Sequence, residues 1–180
     1  MKTLTLLRHA KAGWGERGSP DFDRPLNEKG RRAARAMGRA MRDAALGFDL
    51  VVASPAARVT ETLEGAGEGY GTAFDPVWDR RAYLAAPEVL LEIVQATDDA
   101  VDTLLIVGHN PGLELLTLHL TSEEDGGELR AAVLEKYPTG TLAEIHLPVD
   151  RWRDAAEGKG TLRRFLRPRD LDAALGPDGD

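Results

Sequence analysis

Thr103-Leu104-Leu105-Ile106-Val107-Gly108-His109-Asn110-Pro111-Gly112 carries the chain's clearest strand and, directly after it, a helix start. Residues 103–107 form an apolar run headed by a threonine, the pattern of a strand buried on both faces. Asn110-Pro111 opens a helix expected to continue to about Leu120. A buried strand running straight into a helix is the unit of a parallel sheet, because parallel neighbours need a crossover.

The same unit stands twice upstream. Residues 2–7 read as a buried strand closed by Arg8-His9, followed by a Gly/Pro/Asp-rich loop from Gly13 to Pro25 and a helix over 28–45. Ala33, Met37, Ala40, Met41 and Ala44 give that helix an apolar face. Arg31, Arg35, Arg39 and Arg42 share another face, and Asn27 is the expected N-cap. Residues 50–53 form a second strand, with Ser54 as N-cap and Pro55 in the first turn of a helix to about Glu64. A short strand over 73–78, helices over 87–96 and 126–136, and strands over 141–147 and 162–166 complete the order. Strands alternating with helices, without repeat or linker, predict an α/β fold: a single-domain three-layer α/β/α sandwich with a largely parallel central sheet and helices on both faces. Residues 1–175 are expected to make up the domain, and 176–180 a frayed tail.

The chain has 180 residues, 42% hydrophobic and 29% charged, which is room for one real core and too apolar for disorder. It has no cysteine, which excludes disulfides, thiolate metal sites, iron–sulfur clusters and a cysteine nucleophile. Four histidines (His9, His109, His119, His146) leave little scope for a histidine-rich metal site. The net charge of −7 is unevenly spread. Residues 1–42 carry 11 basic and 4 acidic side chains, residues 43–150 carry 5 and 20, and residues 151–180 carry 7 and 6. Either the surface is simply mixed and solvated, or basic residues gather where an anion binds. No segment reaches the apolar length of a membrane span, and residues 1–7 are too short for a signal-peptide core, so a cytoplasmic location is expected.

Three strand ends carry reactive side chains: Arg8-His9, Ser54-Pro55-Ala56-Ala57-Arg58, and Gly108-His109-Asn110-Pro111-Gly112. Open α/β sheets bind ligands outside the carboxyl ends of their strands, so the three clusters can converge on one crevice. Arginine forks suit phosphate oxygens, and a helix starting near Pro111 offers free N–H groups to the same anion. One histidine can attack phosphorus while the other stabilises the equatorial oxygens. Singly, each cluster has a structural reading: a capping histidine, a salt-bridged arginine, a turn. Together they argue for a phosphate site.

Leu6-Leu7-Arg8-His9-Ala10 resembles the signature of the histidine phosphatase superfamily, also called phosphoglycerate mutase-like. Ser54-Pro55-Ala56-Ala57-Arg58-Val59-Thr60-Glu61-Thr62 resembles its second segment, Val107-Gly108-His109-Asn110 its third, and Arg24-Pro25-Leu26-Asn27-Glu28-Lys29-Gly30 the segment that opens its first helix. Size and spacing are most similar to the SixA-type phosphohistidine phosphatases. The resemblance is strong over residues 2 to 115 and loose beyond. It implies a phosphoglycerate mutase-like fold, attack by His9 on the substrate phosphorus, a phosphohistidine intermediate hydrolysed by water, and Arg8, Arg58, His109 and Asn110 around the phosphate. It implies no metal or organic cofactor. The expected partner is a phosphorylated protein or small phosphorylated substrate, with no role for nucleic acid or a membrane.

Two positions depart from the family pattern. Ala10 stands where glycine is common, and Asn110 stands where the acid phosphatase branch has an aspartate. Asp79 and Glu88 lie between the second and third motifs without convincing context, so no general acid is assigned. An imidazole leaving group has less need of one, since its second nitrogen can already be protonated near neutral pH. Phosphoramidate or aryl phosphate substrates are therefore expected over alkyl phosphates. The competing readings are a small-metabolite phosphatase or mutase-type phosphotransferase, and a phosphate-binding module without turnover.

Other features have plainer readings. Asp21-Phe22-Asp23 lacks the preceding strand of an aspartate-nucleophile motif, and Gly158-Lys159-Gly160 is no P-loop. His119 and His146 read as structural, Trp14 as packed on the domain surface, and Glu123-Glu124-Asp125 as a solvated loop. The arginine stripe on the first helix reads as a solvated face or as a dock for an acidic partner.

Overall fold

The computed structural model of the chain describes residues 1–124 and 127–177. Six strands, β1 (Lys2–Arg8), β2 (Leu50–Ala53), β3 (Val77–Trp78), β4 (Thr103–Gly108), β5 (Leu142–Leu147) and β6 (Thr161–Leu166), form one sheet in the order β3-β2-β4-β1-β5-β6. β1 and β4, β2 and β4, and β2 and β3 pair in parallel, while β5 runs antiparallel to both β1 and β6. The sheet is largely parallel, as the alternating pattern predicts.

The apolar strands feed two layers because successive side chains point to opposite faces. Leu4, Leu6, Leu104 and Ile106 join one apolar cluster; Leu7, Leu105 and Val107 join the other. The first cluster takes in α3 (Pro87–Gln95), α4 (Gly112–Leu120) and α5 (Gly127–Glu135) through Leu90, Leu113, Leu116 and Val133. The second takes in α1 (Glu28–Asp43) and α2 (Ala57–Tyr70) through Met37, Met41, Val59 and Leu63. At the amino-terminal edge of β1, Lys2 is buried at 3% exposure. Its three donors meet the Asp99 and Val101 carbonyls and the Asp102 carboxylate at 2.6–2.9 Å, so the buried charge is paired.

Element ends differ from expectation for local reasons. α1 stops at Asp43, and Ala45 turns the chain at a φ of 54°. Its Asn27 cap is as predicted, accepting from Gly30 N–H at 2.8 Å. Ser54-Pro55 does not cap α2: Ala56 stands at the N-cap, and the Ser54 hydroxyl is turned inward. α2 then runs six residues beyond Glu64 despite three glycines in its second half. Those glycines disfavour a helix intrinsically, but here they allow α1 and α2 to touch. A Cβ at Gly69 would lie 2.0 Å from the Arg35 carbonyl oxygen, and one at Gly38 would lie 2.0 Å from that of Ala66. The expected strand over 73–78 shrinks to exposed Val77–Trp78 at the sheet edge. A one-turn helix, α6 (Pro168–Leu171), was not anticipated. Position 126 of the expected helix, Asp125 of the acidic loop and residues 178–180 of the expected tail lie outside the described residues.

No helix among the described residues is long and apolar enough to cross a membrane.

Candidate active site

The sheet order explains why the three motifs meet. β4 lies between β1 and β2, all three parallel, so their carboxyl ends are neighbours. His9 N–H donates to the Gly108 carbonyl at 3.0 Å, and Ser54 N–H to that of Val107 at 3.1 Å, which ties both outer strand exits to the central one. The His9 and His109 ring centroids then stand 5.3 Å apart.

Hydrogen bonding defines the state of each imidazole. His9 Nδ1 lies 2.7 Å from the Ala10 carbonyl oxygen, which only accepts, so Nδ1 carries the proton and Nε2 keeps its lone pair. His109 Nδ1 lies 3.3 Å from Arg58 Nη2, which only donates; His109 therefore accepts there and donates from Nε2 to the Ser54 hydroxyl at 2.8 Å. Burial is the main force lowering both pKa values, to about 3 for His9 and about 4 for His109, with the charge of Arg58 acting in the same direction. Both rings are neutral at pH 7.

Arg58, on the first turn of α2, is 3% exposed and held from two sides by one residue. Its Nη1 donates to the Asp21 carbonyl at 2.8 Å and its Nη2 to the Asp21 carboxylate at 2.9 Å. Tyr83 OH donates to the same carboxylate at 2.6 Å, and its ring stands edge-on to His109. The Tyr83 hydroxyl first, then Arg58, lowers the Asp21 pKa to about 2. Asp21 and Tyr83 are the site residues that sequence reading missed. Asp21 lies in a segment without the preceding strand of a nucleophile motif; the signal for it is its place in a loop leaving a strand's carboxyl end.

Arg8 Nη1 donates to the Tyr137 carbonyl at 2.8 Å, while its buried Nε has no acceptor in the protein. Asn110 donates to that same carbonyl at 3.1 Å and to Glu114 at 3.3 Å, and its Oδ1 accepts from Glu114 N–H at 3.2 Å. Its amide is thus engaged in bracing the turn. The start of α4 also differs from expectation. Leu113 N–H donates to the His109 carbonyl and Glu114 N–H to Asn110, so these N–H groups are spent inside the protein.

Motif residues away from the crevice act as braces. Thr62 accepts from Ala10 N–H at 2.9 Å and donates to the Arg58 carbonyl at 2.6 Å, joining the first and second motifs. Glu61 accepts from Leu26 N–H at 2.9 Å. The Ala10 methyl is fully buried beside Leu26 and Ala34, so the departure from glycine is accommodated by a small apolar niche.

The carboxylates between the second and third motifs stay outside. Asp79 caps a short turn and grips Arg81, whose hydrogen bonds lower its pKa, and Glu88 is exposed on α3. His146 pairs with Glu144 at 2.9 Å on β5, and His119 lies in the last turn of α4. Trp14 is not packed on the surface: it is 91% exposed, with Arg24 stacked over its ring at 4.9 Å.

The profile of the histidine phosphatase superfamily (branch 1) matches residues 4–81. An uncharacterised protein of Mycobacterium tuberculosis is 32% identical over 91% of this chain and 100% of its own length. The crystal structure of the proposed phosphohistidine phosphatase SixA from Agrobacterium tumefaciens superposes with a TM-score of 0.78 at 31% identity, covering 93% of this chain and 98% of that one. The corresponding proposed SixA of Nakamurella multipartitia gives 0.78 at 30% identity, over 93% and 96%. The chain belongs to the histidine phosphatase superfamily and is a phosphatase by class.

Proposed function

We propose that the protein is a metal-independent phosphohydrolase that removes phosphoryl groups from phosphohistidine in proteins, through a phosphohistidine formed on His9. The observation that carries this reading is the hydrogen bond from His9 Nδ1 to the Ala10 carbonyl, which leaves the Nε2 lone pair free on a neutral ring that feels the charges of Arg8 and Arg58. Nε2 attacks phosphorus as the bond to the leaving group breaks, and the leaving group departs with the electron pair. Water then attacks the phosphohistidine and releases inorganic phosphate and neutral His9.

Arg8 supplies an unspent buried Nε and Arg58 a fixed fork to the equatorial oxygens. A bound phosphate displaces the Arg58–His109 contact, and neutral His109 changes tautomer: its proton moves from Nε2 to Nδ1, which donates to a phosphate oxygen, while the Ser54 hydroxyl turns to donate to Nε2. Asn110, committed to Tyr137 and Glu114, acts by holding the carbonyl that orients Arg8.

Among the described residues, the two carboxylates beside the site are both engaged by neighbours, Glu114 by the Asn110 side chain and Asp21 by Tyr83 and Arg58, so none is assigned to protonate a leaving alkoxide. Asp21 adjoins the site but is held ionised by Tyr83 and Arg58. An imidazole leaving group, protonated on its far nitrogen, departs without one. Support for the substrate class comes from the likeness to the two proposed phosphohistidine phosphatases at 30–31% identity.

The test is hydrolysis of a phosphohistidine protein, an aryl phosphate and glycerol phosphate, with and without a chelator. The first two are expected to turn over much faster than the third and to be unaffected by the chelator. His9→Ala is expected to lose at least about a thousandfold. Comparable rates on glycerol phosphate, or His9→Ala activity equal to wild type, would overturn the reading.

A further inference from the structure

Trp14 and Leu84 are large apolar side chains left open to solvent, 91% and 55% exposed. Trp14 lies in the loop between β1 and α1, and Leu84 in the segment between β3 and α3. Both are tied to the residues that hold Arg58. Arg24 stacks over the Trp14 ring at 4.9 Å and is itself anchored, donating to the Gly13 carbonyl and to the Asp21 carboxylate at 3.2 Å each. Leu84 follows Tyr83, whose hydroxyl donates to the same carboxylate. The Leu84 backbone has a φ of 48°, in the left-handed region that favours glycine. A leucine more than half exposed in that conformation adds little to the protein's own core. Cations accompany these apolar groups. Besides Arg24, Arg80 stands over Phe22 at 5.5 Å, and Phe22 meets the Tyr83 ring edge-on at 5.1 Å. Arg80 is exposed and has no ion pair among the described residues.

We infer that Trp14 and Leu84 anchor a docking rim for a segment of the phosphorylated protein, one that carries apolar and acidic side chains beside its phosphorylated residue. The rim is continuous with the phosphate site through Asp21 and Tyr83, so a protein that presents its phosphoryl group to His9 lies over it. Apolar side chains of that segment cover the Trp14 ring and Leu84, and its carboxylates meet Arg80 and the outer face of Arg24. Tryptophan and arginine are the residue types that most often carry the binding energy of protein interfaces. Trp14, already stacked against an anchored guanidinium, has less freedom to lose when it is covered. The inference rests on the phosphatase reading above and adds what the substrate bears around its phosphorylated residue.

The test separates binding from turnover. The full-length protein is titrated calorimetrically with two peptides that bear a non-hydrolysable phosphonate in place of phosphohistidine. One carries leucine and glutamate on both sides of the phosphonate, the other serine and glutamine. The first is expected to bind about tenfold tighter. Trp14→Ala with Leu84→Gly is expected to abolish the difference, while hydrolysis of phosphoramidate, too small to reach the rim, stays within about twofold of wild type. Both positions are exposed and glycine suits the Leu84 backbone, so the double variant keeps the fold. In a Trp78→Phe background, Trp14 is the exposed tryptophan beside a fully buried Trp152. Its emission is expected to shift to the blue when the first peptide binds.

Equal binding of the two peptides, a difference that survives the double substitution, or an unshifted Trp14 emission overturns the inference. So does a protein that sediments as a dimer and becomes a monomer in the double variant, because the rim would then seat a second copy of the chain. A protein that binds as expected yet hydrolyses neither phosphohistidine nor aryl phosphate leaves the docking rim standing and refutes the proposed function. Turnover of both substrates with equal peptide binding does the reverse.

Discussion

Two histidines with the same residue type end in opposite hydrogen-bonding states because their neighbours differ. A carbonyl acceptor leaves His9 with a free Nε2, whereas a guanidinium donor and a hydroxyl occupy both nitrogens of His109. Asp21 sets the position of Arg58 through both its carboxylate and its carbonyl. Asp21→Asn weakens the first of these, and misplacement of a positioned donor costs on the order of 10- to 100-fold. The loss is expected in kcat more than in KM for an aryl phosphate, and Tyr83→Phe should lose less; a KM-only effect would refute the positioning role.

The same burial makes a prediction about pH and stability. Both folded pKa values lie below the ordinary histidine value, so unfolding takes up protons between pH 6.5 and about 4. Stability contributed by the neutral rings is complete above the unfolded pKa and declines as pH falls through that window. The slope is up to roughly 1.4 kcal/mol per pH unit for each histidine. Urea midpoints measured from pH 7 to 4 should fall accordingly, and His9→Asn should remove about half of the slope. Asp21 is lowered to about 2 and contributes only at more acidic pH.

At the scale of elements, the period of the apolar residues was enough to find the strands and the five longer helices. The ends were less legible. Glycine at 65, 67 and 69 disfavours a helix locally, yet α2 passes the expected end near Glu64 and continues to Tyr70. The cost of helical glycine is local, whereas the benefit arises only when α1 lies against it. Gly38→Ala tests that balance. Its methyl would meet the Ala66 carbonyl at 2.0 Å, so α1 and α2 must part. Overpacking of this kind costs about 1–3 kcal/mol, a fall in Tm of roughly 2–4 °C per kcal/mol in a chain of this size. Thermal melts check it; an unchanged or higher Tm would mean that helix propensity dominates. Ser54 illustrates the same limit. Serine before proline has the sequence of an N-cap, but its hydroxyl is taken by His109, which arrives from a strand more than fifty residues away.

Across the whole molecule, charge is arranged by folding. The arginine stripe of α1 is partly spent on α2: Arg31 reaches Glu61 at 3.2 Å and Arg35 reaches Glu68 at 3.7 Å. These exposed pairs are worth little and lie outside the phosphate site. Replacing Arg35 and Arg39 by glutamine should therefore leave aryl phosphate turnover within about twofold of wild type, as steady-state kinetics would show. A larger loss would mean that a broad positive field feeds the site.

The sequence alone determined the alternation of strands and helices, and with it the layered sheet. It also placed Arg8, His9, Arg58 and His109 at strand ends, because periodicity and turn chemistry are properties of neighbouring residues. Tertiary structure decided which nitrogen of each histidine is free, that Asp21 and Tyr83 hold Arg58, and that Trp14 and Leu84 from two distant segments border them. Those outcomes depend on strand order and helix contact, which bring together groups whose separation along the chain carries no local signal.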